Sequence, residues 1–425
     1  MLKVERVHTL KGTIEVPGDK SISHRGVMFG GISRGKTHIK GFLAGEDCLS
    51  TIRCFRGLGV EIRQEGDEVE VIGRGTNGLT EPTDVLNAGN SGTTMRLMSG
   101  ILAGQSFLSI ITGDQSLRSR PMARVADPLR LMGAKIDGRN GGKLAPLVIR
   151  GGNLKGMVYQ SPVASAQVKS AILLSGLYAD GITTVVEKEK TRDHTEKMLR
   201  AFGGNVSVSG LQVSVSASKL EGQSIQVPGD ISSAAFFMVA AAAMPGAELK
   251  IKNVGLNPTR TGIIDVLEAM GATIEIEDRF ESGGEPMGTI VIKGGVLHGT
   301  EISGEMIPRL VDEIPVIAVA AALAEGKTRI TGAEELKFKE SNRIDAMVSA
   351  LGTVGANIKA LPDGMEIVGP SKIQGGAIDS LGDHRIAMAM AVCGLFSEQA
   401  IEIEDSACID ISFPQFETLL KRICR

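Results

Sequence analysis

Apolar and polar positions along the 425-residue chain switch between two registers at a regular beat. A turn rich in Gly, Pro, Ser and Asp leads into an apolar, Ala-rich stretch of helical length. A Gly-x-Thr turn then opens a β-branched run with strand character, and an amphipathic helical stretch follows that stops at a glycine. Six copies of this order can be read, spaced at roughly 70 residues, the size of an α/β unit. The first runs from Pro17 through Ser33-Arg34-Gly35-Lys36-Thr37 to Leu58-Gly59-Val60-Glu61-Ile62, and the second from Asn87 to Leu131-Met132-Gly133-Ala134-Lys135-Ile136. The third starts near Ser161 and ends at Phe202-Gly203-Gly204-Asn205-Val206, the fourth starts at Pro228 and reaches Met270-Gly271-Ala272-Thr273-Ile274, and the fifth starts near Met306 and ends at Val354-Gly355-Ala356-Asn357-Ile358. The last, from about Leu381, has an apolar helix from Ile386 to Phe396, the strand Ala400-Ile401-Glu402-Ile403 and a helix from Gln415 to Ile423. One such unit cannot bury both its faces, so copies must stack. Three per lobe, twice, is the simplest division: an α/β protein with lobes 17–227 and 228–425, the second completed by 1–16, where a strand from Leu2 to Leu10 pairs back onto it.

One stretch departs from pure scaffold. Val16-Pro17-Gly18-Asp19-Lys20-Ser21-Ile22-Ser23-His24-Arg25 reads as a strand end, a tight turn and the first turn of a helix. Pro17 and Gly18 stop the strand, and Asp19 or Ser21 caps the helix. A helix start offers unpaired N–H groups and a partial positive charge to an anion. Lys20 and Arg25 add full positive charges against that dipole, each at a cost of about 0.3–1 kcal/mol at an exposed site, so helix stability does not select them. A second copy, Val227-Pro228-Gly229-Asp230-Ile231-Ser232-Ser233, keeps the turn and the cap but has Ile231 in place of Lys20. The shared residues are scaffold, and the changed ones mark where a ligand is held.

Composition narrows the ligand. Forty-six basic against 49 acidic residues leave a formal charge of −3, so no global field draws the chain to nucleic acid or anionic membrane, and any cations that matter are clustered. The absence of Trp and the low Tyr and Phe counts, two and 12, argue against base-stacking platforms. Five dispersed cysteines (Cys48, Cys54, Cys393, Cys408, Cys424) form no C-x-x-C pair and read as reduced, mostly buried thiols rather than disulfides or zinc ligands. The charged start of the chain has no apolar signal core, and apolar runs such as that from Ile314 to Ala324 fall short of a membrane span. These features predict a cytoplasmic protein.

Local clusters then supply candidate chemistry. Asn87-Ala88-Gly89-Asn90-Ser91-Gly92-Thr93-Thr94-Met95-Arg96 is a glycine-rich turn entering a helix, an arrangement that cradles phosphate or carboxylate, although a turn needing positive φ at Gly89 or Gly92 gives the same letters. It is neither a Walker loop nor a Rossmann fingerprint. Arg118 and Arg120 precede Pro121 in a loop, where a guanidinium held by a rigid residue suits a bidentate anion clamp. Ser165-Ala166-Gln167-Val168-Lys169-Ser170 opens the third helix with a hydroxyl, an amide and an ammonium. Asp312-Glu313 reads as a cap of the fifth helix. Lys337-Phe338-Lys339-Glu340-Ser341-Asn342-Arg343 reads as one helical turn carrying base, acid and arginine, and Gly382-Asp383-His384-Arg385 does likewise. His24, His194 and His384, near helix starts, lack metal-ligand spacing and read as hydrogen-bonded structural residues. If these ends share a cleft, a ligand with several negative charges is required, and Asp312 and Glu340 are candidate base and acid.

Taken together, the Pro17–Arg25 and Asn87–Thr93 stretches, Arg118-Ser119-Arg120-Pro121-Met122, the Ser165–Ala171 stretch, Thr191-Arg192-Asp193-His194-Thr195, Lys339-Glu340-Ser341-Asn342-Arg343 and Asp383-His384-Arg385 closely resemble the 5-enolpyruvylshikimate-3-phosphate synthases, an enolpyruvyl transferase family. The similarity spans essentially the whole chain. It implies two lobes of three βαβαββ units each, the inverted α/β barrel of that family, closing on phosphoenolpyruvate and 3-phosphoshikimate with no metal or organic cofactor, and it implies a monomer. By position it puts Lys20, Ser21, Arg25, Ser165, Ala166, Gln167, Arg192, Asp312 and Lys339 on 3-phosphoshikimate. Lys20, Gly92, Arg120, Gln167, Arg343 and Arg385 fall on phosphoenolpyruvate. Asp312 is implied as the base for the attacking 5-hydroxyl, and Glu340, with Lys20, as the acid toward the enol methylene. Ala166 follows the Ser-Ala-Gln branch of the family, while Ile411 stands where many members place a lysine near phosphoenolpyruvate. Gly92, open where some members carry alanine, implies sensitivity to glyphosate.

Two rivals remain at this level. The sister transferases acting on UDP-N-acetylglucosamine share fold and donor, but carry a catalytic cysteine where this chain has Gln115. An RNA-end-binding repeat protein would use similar units, against the net charge and scarce aromatics.

Overall fold

The computed structural model of the chain describes residues 1–424, and in it five repeats build four-stranded sheets while the sixth, without a closing hairpin, builds one of three strands. In the second repeat, the strand Leu86–Asn87 leads into the helix Gly92–Ala103, the strand Leu108–Thr112, the helix Ala123–Leu131 and a hairpin of Lys135–Gly138 with Leu144–Arg150. The first two strands pair in parallel, which requires the crossover helix between them, and the hairpin adds antiparallel strands to make one four-stranded sheet. The third repeat (helix Ala166–Gly176) and the fifth (helix Ile314–Leu323) repeat this βαβαββ order and pairing.

The described chain splits into two units. One, here the first unit, holds Gly18–Val227 with Glu281–Glu285; the second holds Met1–Pro17, Pro228–Phe280 and the chain from Pro286 on. Each unit contains three sheets and its own apolar core. The first helix of every repeat is buried nearly all round, every residue of Ile231–Ala242 among them, as expected of helices that are apolar on all faces. The second helix of a repeat is amphipathic and lies outside, as in Glu46–Gly57 with exposed Arg53 and Arg56. Close approach of Gly92–Ala103 to Ala166–Gly176 depends on Gly100, whose missing side chain leaves room for the backbone of Ala171. Phe236, Phe237, Phe413 and Phe416 pack with ring centroids 5.5–5.9 Å apart in the second core, and Phe29 meets Phe202 at 5.6 Å in the first. All five cysteines are free, and four of them are buried.

One expectation needs correction. The segment from Leu2 to Leu10 is not one strand: Leu2–Val4 pairs antiparallel with Ile401–Glu404 and completes the sixth sheet, and a separate strand, Lys11–Glu15, follows. The strand before Pro17-Gly18-Asp19 and the helix after it belong to different units. Lys11–Glu15 pairs in parallel with Glu248–Gly255 in the second unit, while the helix after it, Lys20–Ile32, belongs to the first. The copy behaves reciprocally: Ser224–Gln226 pairs in parallel with Arg34–Lys40 in the first unit, and the helix after it, Ile231–Ala242, belongs to the second. The two Pro-Gly-Asp turns are therefore where the chain changes unit. Among the described residues no helix is long and apolar enough to cross a membrane.

Candidate functional site

In the first unit the three central helices begin at Asp19, Ser91 and Ser165, whose side chains accept hydrogen bonds from Ile22 N at 2.8 Å, Thr94 N at 3.1 Å and Val168 N at 3.5 Å. Two of these caps are neutral hydroxyls, so they satisfy one N–H each without cancelling the positive helix end. Cations surround these starts. Lys20 Nζ stands 3.2 Å from Asp47 Oδ2. Arg25, 4% exposed, is held at every nitrogen: Nε donates to Thr195 Oγ1 at 2.8 Å, Nη1 to Ser21 O at 2.9 Å and Nη2 to Ser170 Oγ at 3.0 Å. Burial pulls its basicity down to about 10, against the pull of Glu196, Asp19 and Glu285, so it remains a cation at neutral pH. Arg120 donates to Asn90 Oδ1 at 2.8 Å and Ser116 Oγ at 3.2 Å, fixing its guanidinium beside the glycine-rich turn.

At that turn Gly89 takes φ +59°, as the plain turn reading requires, whereas Gly92 is the first helical residue. A Cβ on Gly92 would lie 2.9 Å from Arg96 Nη1 and 3.7 Å from Arg120 Nη1. Arg96 in turn donates to Gln167 Oε1 at 2.6 Å, and Gln167 Nε2 donates to Thr93 Oγ1 at 3.0 Å, which ties the second and third helix starts together. Beneath them runs a buried chain: His24 Nδ1 to Thr51 Oγ1 at 2.7 Å, Thr51 to Thr94 at 2.7 Å, and Thr94 to Ser91 at 2.8 Å. Burial drives the His24 ring down to about 3; Asp47 opposes this and Lys20 and Arg25 reinforce it, so the ring is neutral. His194 meets Glu285 at 2.8 Å. His24 and His194 are thus hydrogen-bonded and buried.

The second unit closes its helix starts differently. Asp230 accepts from Ser232 N and Asp383 from Arg385 N, both at 2.9 Å. Contrary to expectation, Asp312 and Glu313 do not cap Ile314–Leu323, which has no side-chain cap: buried Glu313 accepts instead from the Ser232 hydroxyl, and Asp312 Oδ1 lies 3.5 Å from Lys339 Nζ and 3.4 Å from Arg343 Nη1. Nor is Lys337 to Arg343 one helical turn. Glu334–Phe338 is a short 3₁₀ segment, Asn342 is the cap of the helix Arg343–Thr353, and Lys339, Glu340 and Ser341 form the bend between. That bend lets Glu340 fold back onto Arg343 at 2.6 Å.

Arg343 organises this half. It is 1% exposed and reaches three carboxylates: Asp383 at 2.8 Å, Glu340 at 2.6 Å and Asp312 at 3.4 Å. Burial would weaken it as a base, but the three acids more than reverse that, so its pKa is raised and the charge is permanent. Asp383 is itself pushed upward by burial and pulled below the usual carboxylate range by Arg343. The Arg385 side chain, 9% exposed, has no ion pair or hydrogen bond among the described residues. Ile411 lies at the end of the 3₁₀ segment Ser406–Ile411, packed on the core. Among the described residues no group of three or more His, Cys, Asp and Glu could hold a metal ion.

Each unit therefore gathers its own share of the expected residues: Lys20, Ser21, Arg25, Gly92, Arg120, Ser165, Ala166, Gln167 and Arg192 in the first, Asp312, Lys339, Glu340, Arg343 and Arg385 in the second. The first is rich in cations and neutral caps, the second in carboxylates clasped by arginine. Sequence reasoning missed Asp47, Arg96, Ser170, Thr195 and Asp383 as partners. Of these, only Asp47 lay outside the motifs that had drawn notice.

A family model described as EPSP synthase (3-phosphoshikimate 1-carboxyvinyltransferase) matches residues 4–420. A 3-phosphoshikimate 1-carboxyvinyltransferase from Alkaliphilus metalliredigens is 63% identical over 425 residues, covering all of both chains, and one from Brevibacillus brevis is 56% identical over 424 residues with the same coverage. A solved EPSP synthase from Acinetobacter baumannii superposes with a TM-score of 0.91 at 48% identity, covering 99% of this chain and 98% of its own.

Proposed function

We propose the following mechanism for a chain that belongs to the EPSP synthase family: it transfers the carboxyvinyl group of phosphoenolpyruvate to the 5-hydroxyl of 3-phosphoshikimate, releasing phosphate. Two substrates with two phosphates and two carboxylates match the cations in the first unit better than a one-phosphate ligand would. Lys20, Ser21, Arg25, Ser165, Ala166, Gln167, Arg192, Asp312 and Lys339 hold 3-phosphoshikimate, and Lys20, Gly92, Arg120, Gln167, Arg343 and Arg385 hold phosphoenolpyruvate. The two units serve as the lobes 17–227 and 228–425, the latter with 1–16.

Asp312 takes the proton of the 5-hydroxyl as the oxygen bonds to C2 of the enol, and Glu340, assisted by Lys20, delivers a proton to the methylene. The tetrahedral adduct then loses a methyl proton and the C2–O bond to phosphate, restoring the double bond as an enol ether, so atoms and electrons balance. The observation that carries this reading is the placement of Asp312 and Glu340 on one buried guanidinium, 3.4 and 2.6 Å from Arg343. A permanent charge there keeps Asp312 available as a base, and each member of an acid–base pair contributes typically about 10²–10⁴-fold. Transfer to UDP-N-acetylglucosamine is not favoured, because the matched family and the relatives act on 3-phosphoshikimate and position 115 is Gln. We place the protein in the cytoplasm as a monomer sensitive to glyphosate.

The test is phosphate release from phosphoenolpyruvate. It should appear with 3-phosphoshikimate and not with UDP-N-acetylglucosamine or RNA; release with either of the latter and none with the former would overturn the assignment.

A further inference from the structure

Lys169 lies in the first turn of the helix Ala166–Gly176 and is 1% exposed. A cation there opposes the helix dipole and is removed from water, so helix stability disfavours it twice. Two buried carboxylates compensate: Glu187 Oε2 at 3.0 Å and Glu196 Oε1 at 2.6 Å. Glu187 follows the strand Thr183–Val186, and its other oxygen accepts from Thr191 N at 3.1 Å and from the Thr191 hydroxyl, cinching the loop that ends at Arg192. Glu196 sits in the first turn of the helix His194–Ala201, next to Thr195. Thr195 and Ser170, bonded to each other at 2.7 Å, are the two hydroxyls that orient Arg25.

One ammonium thus fastens three segments, and each segment carries groups placed on 3-phosphoshikimate: Ser165, Ala166 and Gln167 on the first, Arg192 at the end of the second, and Arg25 through Thr195 on the third. Of the groups placed on phosphoenolpyruvate only Gln167 lies on one of these segments; Lys20, Gly92, Arg120, Arg343 and Arg385 lie elsewhere in the sequence. We propose that Lys169 is a positioning residue for 3-phosphoshikimate recognition, acting through the Glu187–Lys169–Glu196 triad and making no contact with substrate. This inference rests on the substrate assignment above. The triad carries one excess negative charge, and Glu196 supports Arg25 against burial, together with Asp19 and Glu285 and against Arg192. Removing only the ammonium leaves two buried carboxylates without their shared partner.

The test compares wild type, Lys169→Met and the double variant Lys169→Met/Glu196→Gln, which takes away one of the two carboxylates and returns the site to its original single excess charge. Wild-type phosphate release with 3-phosphoshikimate must be seen first; its absence sinks the substrate assignment and not the triad. In Lys169→Met the KM for 3-phosphoshikimate should rise at least about tenfold, equivalent to about 1.4 kcal/mol. The KM for phosphoenolpyruvate should stay near wild type. The double variant should recover most of the loss. Equal changes in both KM values, no recovery in the double variant, or no change in a folded protein would each overturn the proposal. If Lys169→Met does not fold, the double variant decides: folding with a selective KM defect supports it, and failure to fold shows a scaffold role only and overturns it.

Discussion

Acidification should unlatch the first unit through one residue, His24. The ring is wholly buried, accepts or donates only toward Thr51 Oγ1 at 2.7 Å, and titrates near 3 instead of 6.5 because burial, reinforced by Lys20 and Arg25, disfavours its charged form despite Asp47. A folded pKa below the unfolded one means a contribution fully present above about 6.5 and lost as pH falls toward about 3, since only the unfolded chain takes up the proton in that window. At about 1.4 kcal/mol per unit, the whole window is worth about 4–5 kcal/mol. From about pH 7.5 to 4.5 the loss is about 2.5 kcal/mol, a large part of a stability that is typically about 5–15 kcal/mol. The chain offers a selective probe: it has no Trp, and both tyrosines, Tyr159 and Tyr178, lie in the first unit. Urea titrations followed by tyrosine fluorescence should give wild type a steeper loss over that range than His24→Asn, which keeps a hydrogen-bonding atom near Nδ1 but cannot titrate. Equal losses in the two proteins would refute the reasoning, because any carboxylate contribution is common to both.

Other outcomes follow from the same geometry. Asp312→Ala and Glu340→Ala should each bind both substrates while turnover drops about 10²–10⁴-fold, read by binding calorimetry beside steady-state rates; wild-type rates in either remove that residue from the acid–base pair. Gly92→Ala should push Arg96 off Gln167 and raise the KM for phosphoenolpyruvate about tenfold with the melting temperature unchanged, while the parent enzyme is inhibited by glyphosate. Undiminished wild-type turnover at glyphosate levels far above phosphoenolpyruvate would remove the glyphosate expectation. Asp383→Asn should cost the second unit about 3–5 kcal/mol, because Arg343 loses its 2.8 Å partner inside the core; calorimetry should show it, and the tyrosine signal should not.

The repeats were legible because each announces itself locally: a glycine-bearing turn, a cap such as Asp19 or Asp230, and a helix apolar on all sides. The duplicated Pro-Gly-Asp turn also marked where to divide the chain, but the strand partners were not legible, since nothing local to Lys11–Glu15 points to Glu248–Gly255, more than two hundred residues on, as the strand it pairs with. In the same way Lys20, Arg25 and Gln167 stood out as charged or amide groups at helix starts, but their partners did not. Thr195 lies 170 residues from Arg25, and a threonine in an amphipathic helix carries no local mark of a buried hydrogen bond. Asp312 illustrates the opposite error: an acid before a helix reads as a cap, yet Lys339 and Arg343 outbid the helix end for its carboxylate.

The account depends on a proton being added to the phosphoenolpyruvate methylene and later removed from a methyl group. Running the reaction in heavy water and reading the product by NMR tests this directly. Solvent deuterium should enter the vinyl methylene of the product in wild type and be suppressed together with turnover in Glu340→Gln; product formed at full rate with no solvent hydrogen in that methylene would contradict it.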